Sequence, residues 1–275
     1  MHLKLGSKTL DLSQPHIMGV LNRTPDSFSD GGHFAGFDAA FAQVERMLQE
    51  GAHIVDVGGE STRPGAAEVS IQEELERVLP LVERIRARFD APISIDTSKP
   101  EVMRAAVAAG AVMINDVYAM RRPGALEAAA ASGVALCLMH MQGEPRTMQK
   151  EPHYADVMTE VKEFLEDRAQ VASTAGVPKE CIVLDPGFGF GKNLEHNLTL
   201  LRRLPELAAL GYPLLVGLSR KSMIGTLLGG KPVEERMQGS VAAAVIAVQN
   251  GASIVRVHDV APTVEALKIA VATRG

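Results

Sequence analysis

The sequence predicts an α/β protein whose parallel strands close into a (β/α)8 barrel. Two observations predict this class: short apolar runs alternate with longer amphipathic runs along the chain, and eight such short runs fit into 275 residues. Barrels of this type, the TIM barrels, commonly take about 250 residues as one domain. We therefore expect a single domain over residues 1–275. A doubly wound open sheet is the alternative.

The first predicted element is a β-hairpin at the N-terminus. Within Met1–Leu12, the segments LKL and TLDL lie on either side of a turn that contains glycine. We expect this hairpin to close one end of the barrel.

The eight predicted barrel strands are apolar runs of four to seven residues. Their nearly continuous, β-branched composition is typical of strands that are buried on both faces of a parallel sheet. In chain order they are His16–Asn22, His53–Gly58, Pro92–Asp96, Ala111–Asp116, Val134–His140, Cys181–Asp185, Pro213–Ser219 and Ser253–His258.

Two of the intervening helices carry start signals. Ser70 followed by Glu73 predicts the start of one helix, and its apolar stripe stays in phase past Pro80, so we expect a kinked but continuous helix. Ser98 followed by Glu101 predicts a capping box for the next helix. Gly110 marks the predicted end of that second helix.

Composition and charge exclude several classes of protein. Lys and Arg number 28 against 33 Asp and Glu, a net charge of −5, so the chain has no general electrostatic attraction for nucleic acid or an anionic membrane. The longest apolar run, Val241–Val248, is too short to span a bilayer. Cys137 and Cys181 have no metal-binding spacing, and no secretory signal is recognisable at the N-terminus. We expect a cytoplasmic protein with reduced, buried thiols.

Polar residues follow most of the predicted strands. The carboxyl ends of parallel barrel strands meet at one mouth, so we expect these side chains to converge there. They are Asn22, Arg63, Asp96, Asn115, Asp116, Asp185, Lys221, Arg256 and His258. The long polar loops Thr24–Gly36, Gly59–Ser70 and Gln142–Pro152 also follow strands, and the first two are candidate lids.

The residue types indicate two kinds of recognition at this mouth. Asp96, Asn115 and Asp185 offer acceptors for a flat heterocycle with N–H and NH2 donors, whereas Lys221 offers a donor. The cationic group Arg63, Arg256 and His258 suits a phosphate-bearing leaving group, together with Asn22. Asn22 is also an oxygen ligand of the kind that Mg²⁺ accepts beside substrate phosphates.

The glycine-rich segment Gly187–Lys192 is not a nucleotide-binding loop. It is one residue short of the Walker A spacing, and Asn193 stands where that motif requires Ser or Thr. Its aromatic residues, Phe188 and Phe190, are either core residues or part of an aromatic pocket. Met139 likewise either packs in the core or forms an apolar, polarisable contact surface for an aromatic ligand.

Five segments resemble the signatures of the dihydropteroate synthase family. They are residues 22–32 (NRTPDSFSDGG), 58–65 (GGESTRPG), 185–192 (DPGFGFGK), 219–222 (SRKS) and 256–259 (RVHD). The resemblance runs in order from Leu10 to Ala270, and the first two segments are highly specific.

The resemblance implies a folate-biosynthesis enzyme that requires Mg²⁺. It would join 6-hydroxymethyl-7,8-dihydropterin pyrophosphate to p-aminobenzoate, giving 7,8-dihydropteroate and pyrophosphate. Family members are usually cytoplasmic homodimers, bind neither nucleic acid nor membranes, and are the targets of sulfonamides. By resemblance, Asn22, Arg63, Asp96, Lys221, Arg256 and His258 are catalytic, and Asn22 is the metal ligand.

The resemblance also assigns three subsites. The pterin would contact Asp96, Asn115, Met139, Asp185, Phe190, Lys221 and Arg256. The pyrophosphate would contact Asn22, Thr62, Arg63, Arg256 and His258, and the p-aminobenzoate would contact Phe28, Thr62, Pro64, Phe190 and Ser222.

Two rival functions share the expected fold. A methyltransferase that passes a methyl group from methyltetrahydrofolate to a corrinoid has a similar barrel and acidic pterin pocket, but it does not need segments 24–32 and 61–65 in their present form. A non-catalytic pterin-binding paralogue should have lost part of the set formed by Asn22, Arg63, Lys221, Arg256 and His258, and all five are present.

Overall fold

The computed structural model describes residues 1–22, 32–61, 66–144 and 147–273, without the side chains of residues 32–35. Within this part of the chain, eight parallel strands form one sheet in the order β8-β7-β6-β5-β4-β3-β10-β9. These are β3 (His16–Asn22), β4 (Ile54–Gly58), β5 (Ile93–Asp96), β6 (Met113–Asp116), β7 (Ala135–Met139), β8 (Ile182–Asp185), β9 (Leu215–Val216) and β10 (Ile254–Val257). A parallel bridge between Leu184 and Leu214 joins the two ends of this order, so the sheet closes into the predicted barrel.

Helices follow the strands and surround the barrel. They are α1 (Gly32–Gln49), α2 (Ile71–Arg88), α3 (Pro100–Ala109), α4 (Ala125–Ser132), α5 (Val157–Thr174), α6 (Leu194–Arg202), α7 (Leu204–Ala208), α8 (Ser222–Leu227), α9 (Met237–Gln249) and α10 (Val260–Ala272). α1 begins at Gly32, within the predicted loop Thr24–Gly36, and the preceding part of that loop lies outside the described residues. None of the helices in the described residues is long and apolar enough to cross a membrane.

All eight predicted strands are present, and most are shorter than predicted by one or two residues. The largest difference is at β9, which pairs only through Leu215 and Val216 instead of over Pro213–Ser219. The chain leaves the sheet after Val216 and turns at Arg220, whose φ of 58° is a left-handed conformation. This early turn brings the residues after β9 to the mouth of the barrel.

The predicted N-terminal hairpin is confirmed. β1 (His2–Leu5) pairs antiparallel with β2 (Lys8–Asp11). Leu3 and Leu5 are fully buried against side chains from the amino ends of the barrel strands, among them Ile54, Met113 and Ile254. Burial of such side chains is worth about 2 kcal/mol each, so the hairpin is a stable plug at the amino end of the barrel.

The structure confirms one of the two predicted helix starts and contradicts the other. Ser70 accepts a hydrogen bond from the backbone N–H of Glu73, and α2 continues through Pro80 as expected. The predicted Ser98–Glu101 capping box is wrong, because Lys99 is the N-cap of α3 and its side chain makes no capping bond. A lysine ammonium has no acceptor for the N–H groups of the first turn, and the Lys99 ammonium is instead paired with Glu60, 2.6 Å away, and with Glu74.

Candidate active site

Polar residues from three strands and a glycine from a fourth lie side by side at the carboxyl end of the barrel. The register places Asn22 opposite Gly58, Gly58 opposite Asp96, and Asp96 opposite Asn115. A Cβ atom on Gly58 would lie 3.3 Å from Oδ1 of Asn22 and 3.5 Å from Cβ of Asp96. The glycine therefore leaves space between the Asn22 amide and the Asp96 carboxylate.

Arg256 on β10 connects two carboxylates across the barrel mouth. Its Nε donates to Oδ2 of Asp56, 2.6 Å away, and its Nη2 donates to Oδ2 of Asp96, 2.8 Å away. The Asn115 amide also donates to Oδ2 of Asp56, at 3.2 Å. These bonds fix Arg256 and Asn115 in place without any ligand.

Asp56 is a site residue that the sequence interpretation missed. It is fully buried in the middle of β4, between Val55 and Val57. Its second oxygen, Oδ1, is buried and has no hydrogen-bond partner within the described residues. A charged residue inside an apolar strand almost always requires a buried partner, and that signal was available in the sequence.

Burial shapes the electrostatics around Asp96. The pKa of Asp96 is raised well above its ordinary value, mainly because the carboxyl group is desolvated, although the Arg256 guanidinium opposes the shift. The neighbouring charges of Asp56, Glu74 and Asp116 raise the pKa of Asp96 further. Burial by itself lowers the pKa of the Arg256 guanidinium, but the charges of Asp56 and Asp96 outweigh burial and raise the pKa overall. The Arg256 guanidinium is therefore the cation that favours the ionised form of Asp96.

Asp185 lies at the end of β8 and is 6% exposed. Its Oδ1 accepts a hydrogen bond of 2.7 Å from the backbone N–H of Gly187. Burial raises the pKa of Asp185 to about 6, and the charges of Lys221, Lys192 and Arg256 act in the opposite direction. The carboxylate of Asp185 is thus held by one backbone donor and faces three cations.

An apolar and aromatic wall lies beside these polar groups. Met139 and Phe190 pack with Val117, Met141 and Met148 in a cluster that is separate from the main core. The Lys221 ammonium lies 4.1 Å from the centre of the Phe190 ring, a cation–π contact. By contrast, Phe188 is 1% exposed and belongs to the main core. Of the two open interpretations, Phe190 fits the pocket and Phe188 fits the core.

Lys192 is a second residue whose importance the sequence interpretation missed. Its side chain is 2% exposed, and Nζ lies 2.9 Å from Nδ1 of His140, 3.0 Å from the Gly187 carbonyl and 3.0 Å from the Phe190 carbonyl. Burial and the Lys192 charge lower the pKa of His140 to about 2, so Nδ1 is an acceptor. Burial also lowers the pKa of Lys192 to about 7. Through these contacts, the Lys192 side chain links the loop after β8 to the end of β7.

The residues after β9 and β10 are joined to each other. The His258 backbone N–H lies 3.2 Å from Oγ of Ser219, and the ring atom Nδ1 of His258 lies 3.0 Å from the same oxygen. Arg220 forms a bidentate ion pair with Asp259, at 3.0 and 2.6 Å. Ser222 is the first residue of α8 and is exposed. Lys221, Ser222 and His258 are thus brought to the same rim.

A cavity of about 380 Å³ reaches the acidic part of the mouth. Its lining includes Asp96, Val117, Tyr118 and Arg122. This volume lies in the range of pockets that bind small organic ligands. Of the predicted site residues, Phe28, Thr62, Arg63 and Pro64 lie outside the described residues.

Comparison with known proteins was consistent across sequence and structure. The profile described as "Pterin binding enzyme" matches residues 18–258. The dihydropteroate synthase of Escherichia coli (strain K12) is 56% identical over 273 residues, which cover 99% of this chain and 96% of that protein.

Two solved structures of dihydropteroate synthases also superpose on this chain. The dihydropteroate synthase of Yersinia pestis with a sulfonamide drug complex superposes with a TM-score of 0.95 at 55% identity, covering 100% of this chain and 99% of that one. The Xanthomonas albilineans enzyme in complex with 7,8-dihydropteroate has a TM-score of 0.91 at 49% identity, covering 100% of both chains. The chain therefore belongs to the dihydropteroate synthase family of pterin-binding transferases.

Proposed function

We propose that this protein joins 6-hydroxymethyl-7,8-dihydropterin pyrophosphate to p-aminobenzoate, releasing 7,8-dihydropteroate and pyrophosphate in a reaction that depends on Mg²⁺. The observation that carries the proposal is the arrangement of Asp56, Asp96, Asn115 and Asp185 around Arg256. It combines buried acceptors for a heterocycle with cations for its anionic leaving group. The relative from X. albilineans binds the product that this reaction would form.

Recognition of the pterin would use the buried acceptors. One carboxylate oxygen of Asp185 accepts the Gly187 N–H. The other oxygen would accept hydrogen bonds from the pterin amine and ring N–H groups. Asn115 and Asp96 supply further polar contacts, and Lys221 supplies a donor for ring acceptors. Met139, Phe190 and the Arg256 guanidinium would then cover the faces of the ring.

The chemical step replaces a carbon–oxygen bond by a carbon–nitrogen bond. The bond between the pterin methylene carbon and the pyrophosphate oxygen breaks, and its electron pair leaves with pyrophosphate. The p-aminobenzoate nitrogen attacks the methylene carbon and then loses a proton to water. Arg256 and His258, with Arg63 from the sequence assignment, would stabilise the charge that develops on pyrophosphate. The carboxylate of Asp96 would stabilise the positive charge on the pterin methylene.

The residues at the mouth fit a Mg²⁺ ion whose ligands are mainly oxygens of the substrate phosphates. The described residues contain no cluster of three or more His, Cys, Asp or Glu side chains able to hold a metal. Asn22 supplies one neutral oxygen beside Gly58, and Mg²⁺ commonly binds one or two protein oxygens together with phosphates and water. When bound, the ion would neutralise charge on the leaving group.

The p-aminobenzoate site would lie at the rim. Ser222 at the start of α8 and the Phe190 ring below Lys221 are the described parts of this site. Phe28, Thr62 and Pro64 complete it by resemblance. We also propose that sulfonamides compete for it, because a Y. pestis relative was solved with such a drug.

We further propose a cytoplasmic homodimer. Cys137 and Cys181 are free and buried, as is common in a reducing compartment. Leu227, Met237 and Ile246 on α8 and α9 are 53%, 39% and 44% exposed, and large exposed apolar side chains of this kind often mark contact surfaces.

One assay tests the proposed function against both rivals. Purified protein is incubated with the pterin pyrophosphate, p-aminobenzoate and Mg²⁺, and dihydropteroate is sought by mass spectrometry. We expect product and pyrophosphate only when both substrates and the metal are present. Methyl transfer from methyltetrahydrofolate to a corrinoid, or pterin binding without product, would refute the proposal.

A further inference from the structure

The turn after β9 is attached to the end of β10 at two adjacent positions. Ser219 contacts His258 through Oγ, and the next residue, Arg220, forms the bidentate ion pair with Asp259. Arg220 holds a left-handed φ of 58°, which costs free energy in a residue with a Cβ atom. A strained turn that is fixed by two such contacts holds Ser219 in a defined position against the His258 ring.

The two contacts of Ser219 determine where its hydroxyl proton points. Oγ accepts the His258 backbone N–H at 3.2 Å and lies 3.0 Å from Nδ1 of the same residue. If Oγ also accepted a proton from Nδ1, the serine hydrogen would have no acceptor among the described residues, although the residue is only 8% exposed. Buried polar groups are nearly always satisfied, so the hydroxyl donates to Nδ1.

We propose that Ser219 is a positioning residue that holds the neutral His258 ring in the tautomer with its proton on Nε2. An imidazole whose Nδ1 accepts a hydrogen bond carries its proton on the other ring nitrogen. This inference rests on the proposed function, in which His258 contacts the leaving pyrophosphate. Nε2–H is then the donor that His258 offers to a phosphate oxygen, without needing a full positive charge.

The tautomer can be measured without any substrate. The full chain is labelled with ¹⁵N-histidine, and the ring nitrogens of His258 are identified by their absence in His258→Gln. We expect Nδ1 to be unprotonated and Nε2 protonated in the wild type above neutral pH. A proton on Nδ1 of the wild-type protein would overturn the proposal whatever the enzyme's activity.

Variants of two serines separate positioning from general damage to the turn. Ser219→Ala should give a mixture of tautomers, and Ser219→Thr, which keeps the hydroxyl, should restore the Nε2–H form. Ser240→Ala is the matched control, because Oγ of Ser240 accepts the Arg220 backbone N–H at 2.8 Å in the same turn. We expect it to leave the His258 tautomer unchanged. An unchanged tautomer in Ser219→Ala would contradict the proposal.

Kinetics then connect the tautomer to the reaction. Ser219→Ala should lower kcat about tenfold, which is less than the ~10²-fold loss typical of removing a direct donor to a developing anion, and should leave the KM for p-aminobenzoate unchanged. An unchanged kcat in Ser219→Ala with a mixed tautomer would refute the link to catalysis. If no variant and not even the wild type forms dihydropteroate, the proposed function fails while the tautomer result stands.

Discussion

Arg256 and Asp96 form an ion pair within the barrel mouth, with Nη2 of the arginine 2.8 Å from Oδ2 of the aspartate. The same guanidinium is held by Asp56 on its other side, at 2.6 Å. Arg256 thus links a carboxylate that faces the cavity to one that is completely buried. Two strands of the barrel therefore fix the position of its guanidinium.

The first prediction concerns Asp56. Asp56→Asn removes the charge that partners Arg256, and loss of one partner of a buried ion pair typically costs about 3 kcal/mol. We expect a loss of this size in the free energy of unfolding, measured by urea denaturation, and at least ~100-fold lower kcat/KM.

The control for Asp56 is Asp38→Asn. Asp38 pairs with Arg84 at 2.7 Å but is 69% exposed, and exposed pairs contribute at most about 1 kcal/mol. Equal destabilisation by the two substitutions would show that Asp56 has no special structural role. A stable Asp56→Asn protein with normal turnover would remove it from the site.

The second prediction concerns pterin recognition. Asp185→Asn replaces an acceptor oxygen with a donor NH2 group, so it should weaken binding of 6-hydroxymethyl-7,8-dihydropterin about 100-fold by calorimetry. The amide can still accept the Gly187 N–H, which limits damage to the loop. Asp167→Asn, at an exposed position on α5, is the control and should bind normally. Unchanged affinity in Asp185→Asn would exclude the proposed contact.

The third prediction is a pH dependence of pterin binding. Burial raises the pKa of Asp185 to about 6, so the carboxylate that accepts the pterin donors is lost as pH falls through 6. At about pH 5 the Kd of the pterin without pyrophosphate should be about tenfold higher than at neutral pH. Asp185→Asn should reduce this pH dependence, and the part that remains is expected from Asp96, whose pKa burial also raises.

Acidification also changes the stability of the fold, in opposite directions at His140 and Asp185. Burial lowers the pKa of His140 to about 2, so the stability contributed by its neutral ring is lost as pH falls below about 6.5. Because the folded-state pKa of Asp185 lies above its ordinary value, its contribution to stability is present at low pH and is lost as pH rises through about 6. Acidification from pH 7 to 5 therefore stabilises the fold at this residue while weakening the pterin complex. Parallel thermal unfolding of the free protein distinguishes the two effects.

The fourth prediction concerns the rim. Ser222→Ala should raise the KM for p-aminobenzoate about tenfold with little change in pterin affinity, since a hydrogen bond to a carboxylate contributes about 1.5 kcal/mol. Thr226→Ala on the same short helix is the control, because its hydroxyl donates to the Ser222 carbonyl at 3.2 Å. Selective loss of pterin binding in Ser222→Ala would contradict the assignment.

The fifth prediction concerns Lys192. Lys192→Met keeps most of the side-chain volume but leaves the Gly187 and Phe190 carbonyls and His140 without their donor. We expect a loss of about 3 kcal/mol in the free energy of unfolding and weaker pterin binding. Lys268→Met, at an exposed position on α10, should change neither. Normal pterin affinity in Lys192→Met would show that the loop does not need this lysine.

The sequence was sufficient to predict the barrel, the hairpin and the position of the mouth, because each depends on hydrophobic periodicity and on strand order. It was not sufficient for Asp56 or Lys192. The partners of these residues, Arg256 and His140, are 200 and 52 positions away in the chain, and the pairing of strands in the sheet brings them into contact.

The capping box at Ser98 failed for a similar reason. A local pattern of hydroxyl and carboxylate residues suggested the helix start, but a distant contact determined it. Lys99 is drawn to Glu60 and Glu74 from two other segments of the chain. Short-range patterns therefore predict elements better than they predict the side chains that join elements.

Leu3 and Leu5 cover the amino end of the barrel, so among the described residues the polar site opens at the carboxyl end. In the proposed function both substrates would enter from that end, so the more deeply seated substrate would bind before the other. If the pterin binds at Asp56 and Asp185, and the arylamine binds above it at Ser222, the two substrates would bind in a fixed order.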